Sequence, residues 1–341
     1  MFCRKFSNLH IKNSPVSCYL KSSKREEKMI SRILLAAAIV AGLSGAASAQ
    51  TISIGTNPQG SLAYATGAAV SKVAIEEGDI RMRVVPQGGP NVVVPLVNNG
   101  ELEFSIANGV AAAFAYTGQG EFSSPNENIR MVAVLFDLYS GFIVRNDSDI
   151  HTLQDLQGKR VASDFLTQQA VQTNAEATLN TVGMTYDDVQ RVPVPDGVRG
   201  VEDLETGNVD ATFFSLSSGR TKQADAALGG IRILPIEKSE DANAKIEAIS
   251  PGAWVAEVKP GPNFPGITEP QGAYTTPFVI LAGADVPDEV VYNLVKALHA
   301  NKKALVAANG AFNGFDPAAM HTDIGVPFHP GAEQFYTEAG L

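Results

Sequence analysis

From Thr51 onward the chain repeats one local pattern: a short run rich in β-branched and aromatic residues, a loop of small residues, then a helical stretch. "TISIG" (51–55) precedes a helix expected from about Ser61 to Glu77, and "IRMRVVP" (80–86) precedes "GGPNVVVPLVNNG", a short helix with Pro90 at a permitted first-turn position. "LEFSIAN" (102–108) then leads into the apolar "VAAAFAY". Such alternation favours parallel strands joined by helical crossovers, the α/β class.

"IRMVAVLF" (129–136) and "GFIVRND" (141–147) read as buried strands, after which the alternation restarts. A helix is expected over 167–184, a strand at "VQRVPVP", a helix "VRGVEDLETG" closed by Gly207, and a strand at "NVDATFFS". The proline- and glycine-rich "VKPGPNFPGITEPQG" (258–272) excludes regular structure and marks a long loop or crossover. "AYTTPFVILAGA" (273–284) follows as a buried strand, and Val291, Leu294, Val295 and Leu298 give the next helix one apolar face. Two such units, with the chain crossing between them more than once, describe a clamshell: one lobe of 50–140 plus 278–341 and another of 141–277. The cleft between lobes is the expected ligand site.

The segment before Thr51 has a different character. Lys28 and Arg32 precede the apolar run "ILLAAAIVAGLSGAA" (33–47), which ends in Ala47-Ser48-Ala49. This is the pattern of a cleaved secretory signal, and the run is shorter than the roughly 20 residues that span a bilayer. Residues 29–49 are therefore read as a signal peptide and 1–28 as a mis-assigned start, with Met29 the true one. The expected location is the periplasm, with no membrane insertion of the mature chain. Both cysteines, Cys3 and Cys18, lie in this leader, so the mature fold must hold without disulfides. The chain has 26 Lys and Arg against 36 Asp and Glu, a net charge of −10, with many of the basic residues in the leader. An acidic surface of this kind repels nucleic acid and anionic lipid.

The small-residue loops carry the functional signal. A helix start leaves N–H groups unpaired and holds partial positive charge, so it accepts an anion where nothing bulky intervenes. Gly60 and Ser61 sit at the first helix start, Gly88, Gly89 and Asn91 at the second, and Asn108 at the third, each at the carboxyl end of a strand. These residues equally suit simple turns and helix caps. Neither G-x-x-x-x-G-K-[ST] nor a post-strand G-x-G-x-x-G is present, so a nucleotide site is not indicated.

The order and spacing of "IGTNPQGSLAYATGAAVSKV", "VVPQGGPNVVVPLVNNGELEFSIANG", "FIVRNDSDIHTLQDLQGKRVA", "GNVDATFF", "VPDEVVYNLVKALHAN" and "FHPGAEQFYTEAGL" resemble the TAXI family of TRAP-transporter solute-binding proteins. The resemblance extends over essentially all of 51–341. It implies a type II periplasmic binding protein fold, two α/β lobes around a ligand cleft. It also implies a receptor that closes on a small organic anion, a dicarboxylate or an acidic amino acid such as glutamate. The anion would pass to a separate multi-spanning TRAP permease, and no cofactor is implied.

Tyr64 matches one member of the family's Tyr pair, whereas Asn57, Pro58 and Gln59 intrude in its glycine-rich loop. In the second lobe, "SDFLTQQA" (163–170) stands where the family has a Gly-Ser-Gly-Thr-like loop, so Thr167, Gln168 and Gln169 place longer donors and acceptors at a helix start. Asp164 would repel a carboxylate and is expected to face away from the cleft or to meet a hydroxyl or amine. Further candidates are Tyr139 near the first crossover, Ser215 and Ser217 after "VDATFF", and Arg199 and Arg220 as partners for a distal carboxylate.

An enzyme is the second class. The chain after residue 49 has no Cys nucleophile, no G-x-S-x-G and no H-E-x-x-H, and His151, His299, His321 and His329 are scattered. A hydrolase or transferase is therefore the less favoured reading, and no catalytic residue is assigned. An exported sensor docking on a receptor kinase would share the same binding lobes.

Overall fold

The structure is a computed structural model that describes residues 51–341, so the signal-peptide and start-site readings lie outside the described residues. Strand β1 (Ile52–Thr56) is wholly buried and pairs in parallel with β2 (Met82–Pro86) and β3 (Phe104–Asn108). The crossovers are α1 (Leu62–Glu77) and α2 (Pro90–Asn98), and α3 (Gly109–Thr117) leaves β3 directly. Each start has a local cause. Ser61 accepts the Tyr64 N–H, Pro90 occupies the first turn of α2, and Asn108 accepts the Ala111 N–H.

A second parallel set comprises β5 (Arg160–Ser163), β6 (Gln190–Pro193) and β7 (Ala211–Ser215), with α4 (Gln169–Asn180) and α5 (Gly197–Thr206) as crossovers. Asp196 caps α5, and Gly207 ends it in the left-handed conformation that glycine adopts freely. Helix α6 (Gly219–Leu228) follows β7 behind the cap Ser218. The short β8 (Ile231–Ile233), α7 (Glu240–Glu247) and β9 (Trp254–Val258) complete this half.

Two long strands join the sets. β4 (Ile129–Arg145) and β10 (Gln271–Gly283) lie antiparallel at the centre of the strand order β2-β1-β3-β10-β4-β7-β5-β6. The sequence predicts two strands over 129–147, but one continuous strand forms. Its first part, through Leu138, pairs with β10, and from Ser140 to Val144 it pairs with β7. Polar Asp137 and Ser140 interrupt the apolar run at the point where the strand changes partners, which gives one strand the pattern of two. β10 behaves likewise, exchanging β4 for β9 over Gln271–Thr275.

The buried apolar side chains divide in the same way. One cluster holds Phe142, Phe165, Leu179, Phe213 and Tyr274, while another joins Ile54, Phe104 and Ile106 to Leu294, Leu298 and Tyr336. The latter set includes α8 (Asp288–Ala300) and α10 (Pro330–Ala339), with α9 (Lys302–Ala308) between them. Each fully buried side chain of this size contributes about 1.5–3 kcal/mol. The fold is thus α/β, with two lobes around a cleft crossed by β4 and β10. The helix expected over 167–184 is shorter, Gln169–Asn180: Gln168 precedes the first turn with φ −143°, and past Asn180 the chain turns through Gly183 at φ +75°.

Candidate functional site

A cavity of about 50 Å³ lies where helix starts from both halves converge. Ser61, Leu62 and Ala63 line it from α1, Pro90 from α2, Asn108 from the head of α3, and Gln168, Ala170, Val171 and Asn174 from α4. Ile106, Leu138, Phe213, Phe214 and Phe278 form apolar wall from the strands, with Ser140 and Ser215 among them. Among the described residues, no Lys, Arg, His, Asp or Glu lines it. Among its lining elements the helix starts carry partial positive charge.

The polar groups have a fixed sense. A backbone N–H can only donate, so the Ala111 N–H at 2.9 Å fixes Asn108 Oδ1 as acceptor, and the Gly197 N–H at 2.9 Å does the same for Gln168 Oε1. Asn174 Oδ1 accepts the Tyr274 hydroxyl at 2.8 Å, and Ser61 Oγ accepts the Tyr64 N–H at 3.1 Å. With one hydrogen bond already accepted by each oxygen, the three amides turn their NH₂ groups to a guest as donors, and Ser61 adds its hydroxyl proton. Asn57 Oδ1 and Ser215 Oγ, also at the cavity wall, are buried without a hydrogen-bond partner. An orphaned buried group costs about 1–3 kcal/mol, which a polar guest would recover.

The halves touch at the rim. The Gly89 N–H donates to the Thr167 carbonyl, and the Arg220 N–H donates to the Gly60 carbonyl at 3.0 Å. Gly60 has φ +89°, a conformation that favours glycine. A Cβ at Gly88 would lie 2.8 Å from the Thr167 carbonyl oxygen, and one at Gly89 would lie 2.7 Å from Gln168 Cα. These contacts bring the two sides of the cavity mouth together.

Of the residues singled out from sequence, Ser61, Asn108, Gln168 and Ser215 line the cavity. Gly60, Gly88, Gly89 and Thr167 form the rim contacts, and Gln169 opens α4. The Oδ1 of Asn91 is buried without a partner beside the start of α2. Tyr64 and Tyr139 do not line the cavity. The Tyr64 hydroxyl accepts from Gln59 at 3.4 Å, and Tyr139 packs edge-on against Phe264 with ring centres 5.5 Å apart. Burial, and then the Asp137 charge, push the Tyr139 hydroxyl pKa up. Ser217 is buried next to the cap of α6 and also lies off the cavity.

Arg199 pairs with Glu202 at 3.2 Å and Asp203 at 3.0 Å on the face of α5, and Arg220 pairs with Glu205. Neither guanidinium lines the cavity. Asp164 is paired with Arg191, also away from it. Sequence reasoning missed Asn174 as a site residue, although it lies one turn beyond Ala170 on the same face of α4. It also missed the aromatic wall, whose Phe213 and Phe214 look like ordinary strand core in "NVDATFF".

The fold recurs in solved proteins. A periplasmic transporter shares it with a TM-score of 0.54 at 16% identity, covering 86% of this chain and 94% of that one. A protein from Bordetella bronchiseptica RB50 shares it with a TM-score of 0.50 at 12% identity, covering 85% and 98%. The substrate-binding protein of an amino acid ABC transporter is similar at a TM-score of 0.46 and 13% identity, covering 77% and 96%. Within the sequence itself, residues 54–340 match one family over nearly the whole described region, and the chain belongs to that family, the NMT1-like family.

Proposed function

We propose that the protein is an exported solute-binding receptor of a secondary transporter, closing on a small organic anion and presenting the closed shape to a separate membrane permease. The observation that carries this reading is the cavity itself. It lies between two lobes, is ringed by helix starts and fixed donors, and is shut by backbone contacts between Gly60 and Arg220 and between Gly89 and Thr167. A cleft that contacts ligand from both sides only when shut shifts its open–closed equilibrium by the extra affinity of the closed form.

The resemblance to TAXI proteins supports a TRAP-type permease as the partner and the periplasm as the location. In this reading the lobes divide at 140/141 and 277/278, near the partner changes of β4 between Leu138 and Ser140 and of β10 between Thr275 and Thr276. Ser61, Asn108, Gln168 and Ser215 form the polar contacts in this reading.

The test is thermal unfolding of the purified protein, shown free of co-purified ligand, against carboxylates, sulfonates, amino acids and sugars. A ligand at 100 times its dissociation constant stabilises by about 2.7 kcal/mol, a shift of a few degrees. Stabilisation by a subset of organic acids supports the receptor; no shift with any acid contradicts it.

A further inference from the structure

The receptor reading leaves open which organic anion the cavity takes, and the charge inventory of its wall narrows the class. A second carboxylate enclosed here would need a cation, because a buried charge without a partner is strongly disfavoured. The cationic candidates for that role, Arg199 and Arg220, are already engaged with Glu202, Asp203 and Glu205 outside the cavity. The α-ammonium of an amino acid would need a carboxylate or several free acceptors. No Asp or Glu is among the lining residues, and the oxygens of Asn108, Gln168 and Asn174 each already accept a hydrogen bond within the protein, which leaves Asn57 Oδ1 and the Ser215 hydroxyl as the unpartnered acceptors for an ammonium that has three N–H donors.

What the wall does offer is donors for one acceptor-rich group, together with apolar surface from Ile106, Leu138, Phe213 and Phe278. Ser215 points to a polar guest independently of the helix starts, since it is 8% exposed and its Oγ has no partner.

We propose that the ligand is a one-headed organic acid, a single carboxylate or sulfonate on an uncharged hydrocarbon body, with neither a second acid group nor an α-amine. Amide NH₂ groups, the Ser61 hydroxyl and helix starts hold the head, and the apolar wall holds the body. This differs from the dicarboxylate or acidic amino acid that the family resemblance implies. The inference rests on the receptor reading above, and the experiment separates the two.

Isothermal titration of the protein with matched sets answers it. For each of a linear, a branched and a phenyl body, the set contains the monocarboxylate, the corresponding sulfonate, the dicarboxylate, the α-amino acid and the neutral amide. The expected result is that, within the best-fitting body, the monocarboxylate or the sulfonate binds at least 10-fold more tightly than the dicarboxylate and the amino acid. The order of those two identifies the head. A dicarboxylate or amino acid that binds as tightly overturns the one-headed inference and leaves the receptor standing. Binding by no member overturns both.

Gln168→Glu supplies a second arm. A carboxylate oxygen at this position can still accept the Gly197 N–H, so the loop keeps its support while the NH₂ donor becomes a negative charge. The variant is expected to lose at least 10-fold for the monoanion and little for the amide. Equal losses for both would overturn the donor role.

Discussion

Gly89 lies so close to Gln168 that a Cβ at position 89 would sit 2.7 Å from Gln168 Cα and 2.8 Å from its Cγ. These two residues belong to opposite sides of the cleft, so the missing side chain is a condition of closure. Gly89 has φ −100° and ψ −169°, an extended conformation open to alanine, and Gly89→Ala strains contact between the lobes without straining the backbone. The variant should keep its unfolding midpoint within a few degrees, because replacing an N-cap glycine by alanine costs only about 1 kcal/mol. Its affinity should fall at least tenfold. Titration calorimetry beside thermal unfolding checks both, and unaltered affinity would show that this contact does not accompany binding.

Asn108→Asp separates helix capping from ligand binding. Aspartate caps a helix as well as asparagine and interacts favourably with its positive end, so stability should hold within about 1 kcal/mol or rise. The Ala111 N–H keeps its acceptor, but the NH₂ donor is replaced by a negative charge at the cavity wall. Affinity for an organic acid should drop by about two orders of magnitude, a loss of about 2.7 kcal/mol. Denaturant unfolding and titration of the same sample measure the two effects.

Tyr274→Phe tests how the amide of Asn174 is held. Phenylalanine keeps the edge-on packing against Phe213 but removes the 2.8 Å hydrogen bond to Asn174 Oδ1. The buried amide oxygen then lacks its partner, a cost of about 1–3 kcal/mol. Freed from Tyr274, the amide can turn, and acids should bind less selectively over their neutral amides than they do to the wild type. Titrations with an acid and its amide read this selectivity directly.

Glu121 governs part of the pH dependence. Burial raises its pKa from 4.5 to about 7, partly offset by a backbone hydrogen bond, and its Oε1 is buried without a partner. Between these values the folded protein holds the proton and the unfolded chain has lost it, so stability falls as pH rises from about 4.5 to about 7 and levels off above. The difference is on the order of 3 kcal/mol. Glu121→Gln should remove this component, making the variant more stable than wild type at pH 8 and little different at pH 4. Urea unfolding across that range checks the sign.

The elements were legible where their local chemistry is autonomous. Ser61, Pro90, Asn108 and Gly207 announce helix ends through interactions within a few residues, and the structure places them at those ends. The continuity of β4 was not legible, because it depends on β10 and β7, which lie far away in sequence and accept successive parts of one strand. In the cavity, Ser61, Asn108, Gln168 and Ser215 could be read as polar residues at strand or helix ends. The engagement of Arg199 and Arg220 could not. Their acidic partners lie on or near α5, and only the folded arrangement shows that both guanidiniums are held off the wall. Asn174 was hidden for a similar reason, since its amide is oriented by Tyr274 from β10.

The most direct test of the central claim, that the two lobes close around a small organic acid, is small-angle X-ray scattering of the purified protein titrated with the tightest-binding acid. The account predicts that the radius of gyration falls as the acid saturates, with a midpoint matching the calorimetric affinity, and that Gly89→Ala shows a smaller fall. Saturating binding that leaves the radius of gyration of the wild-type protein unchanged would contradict it.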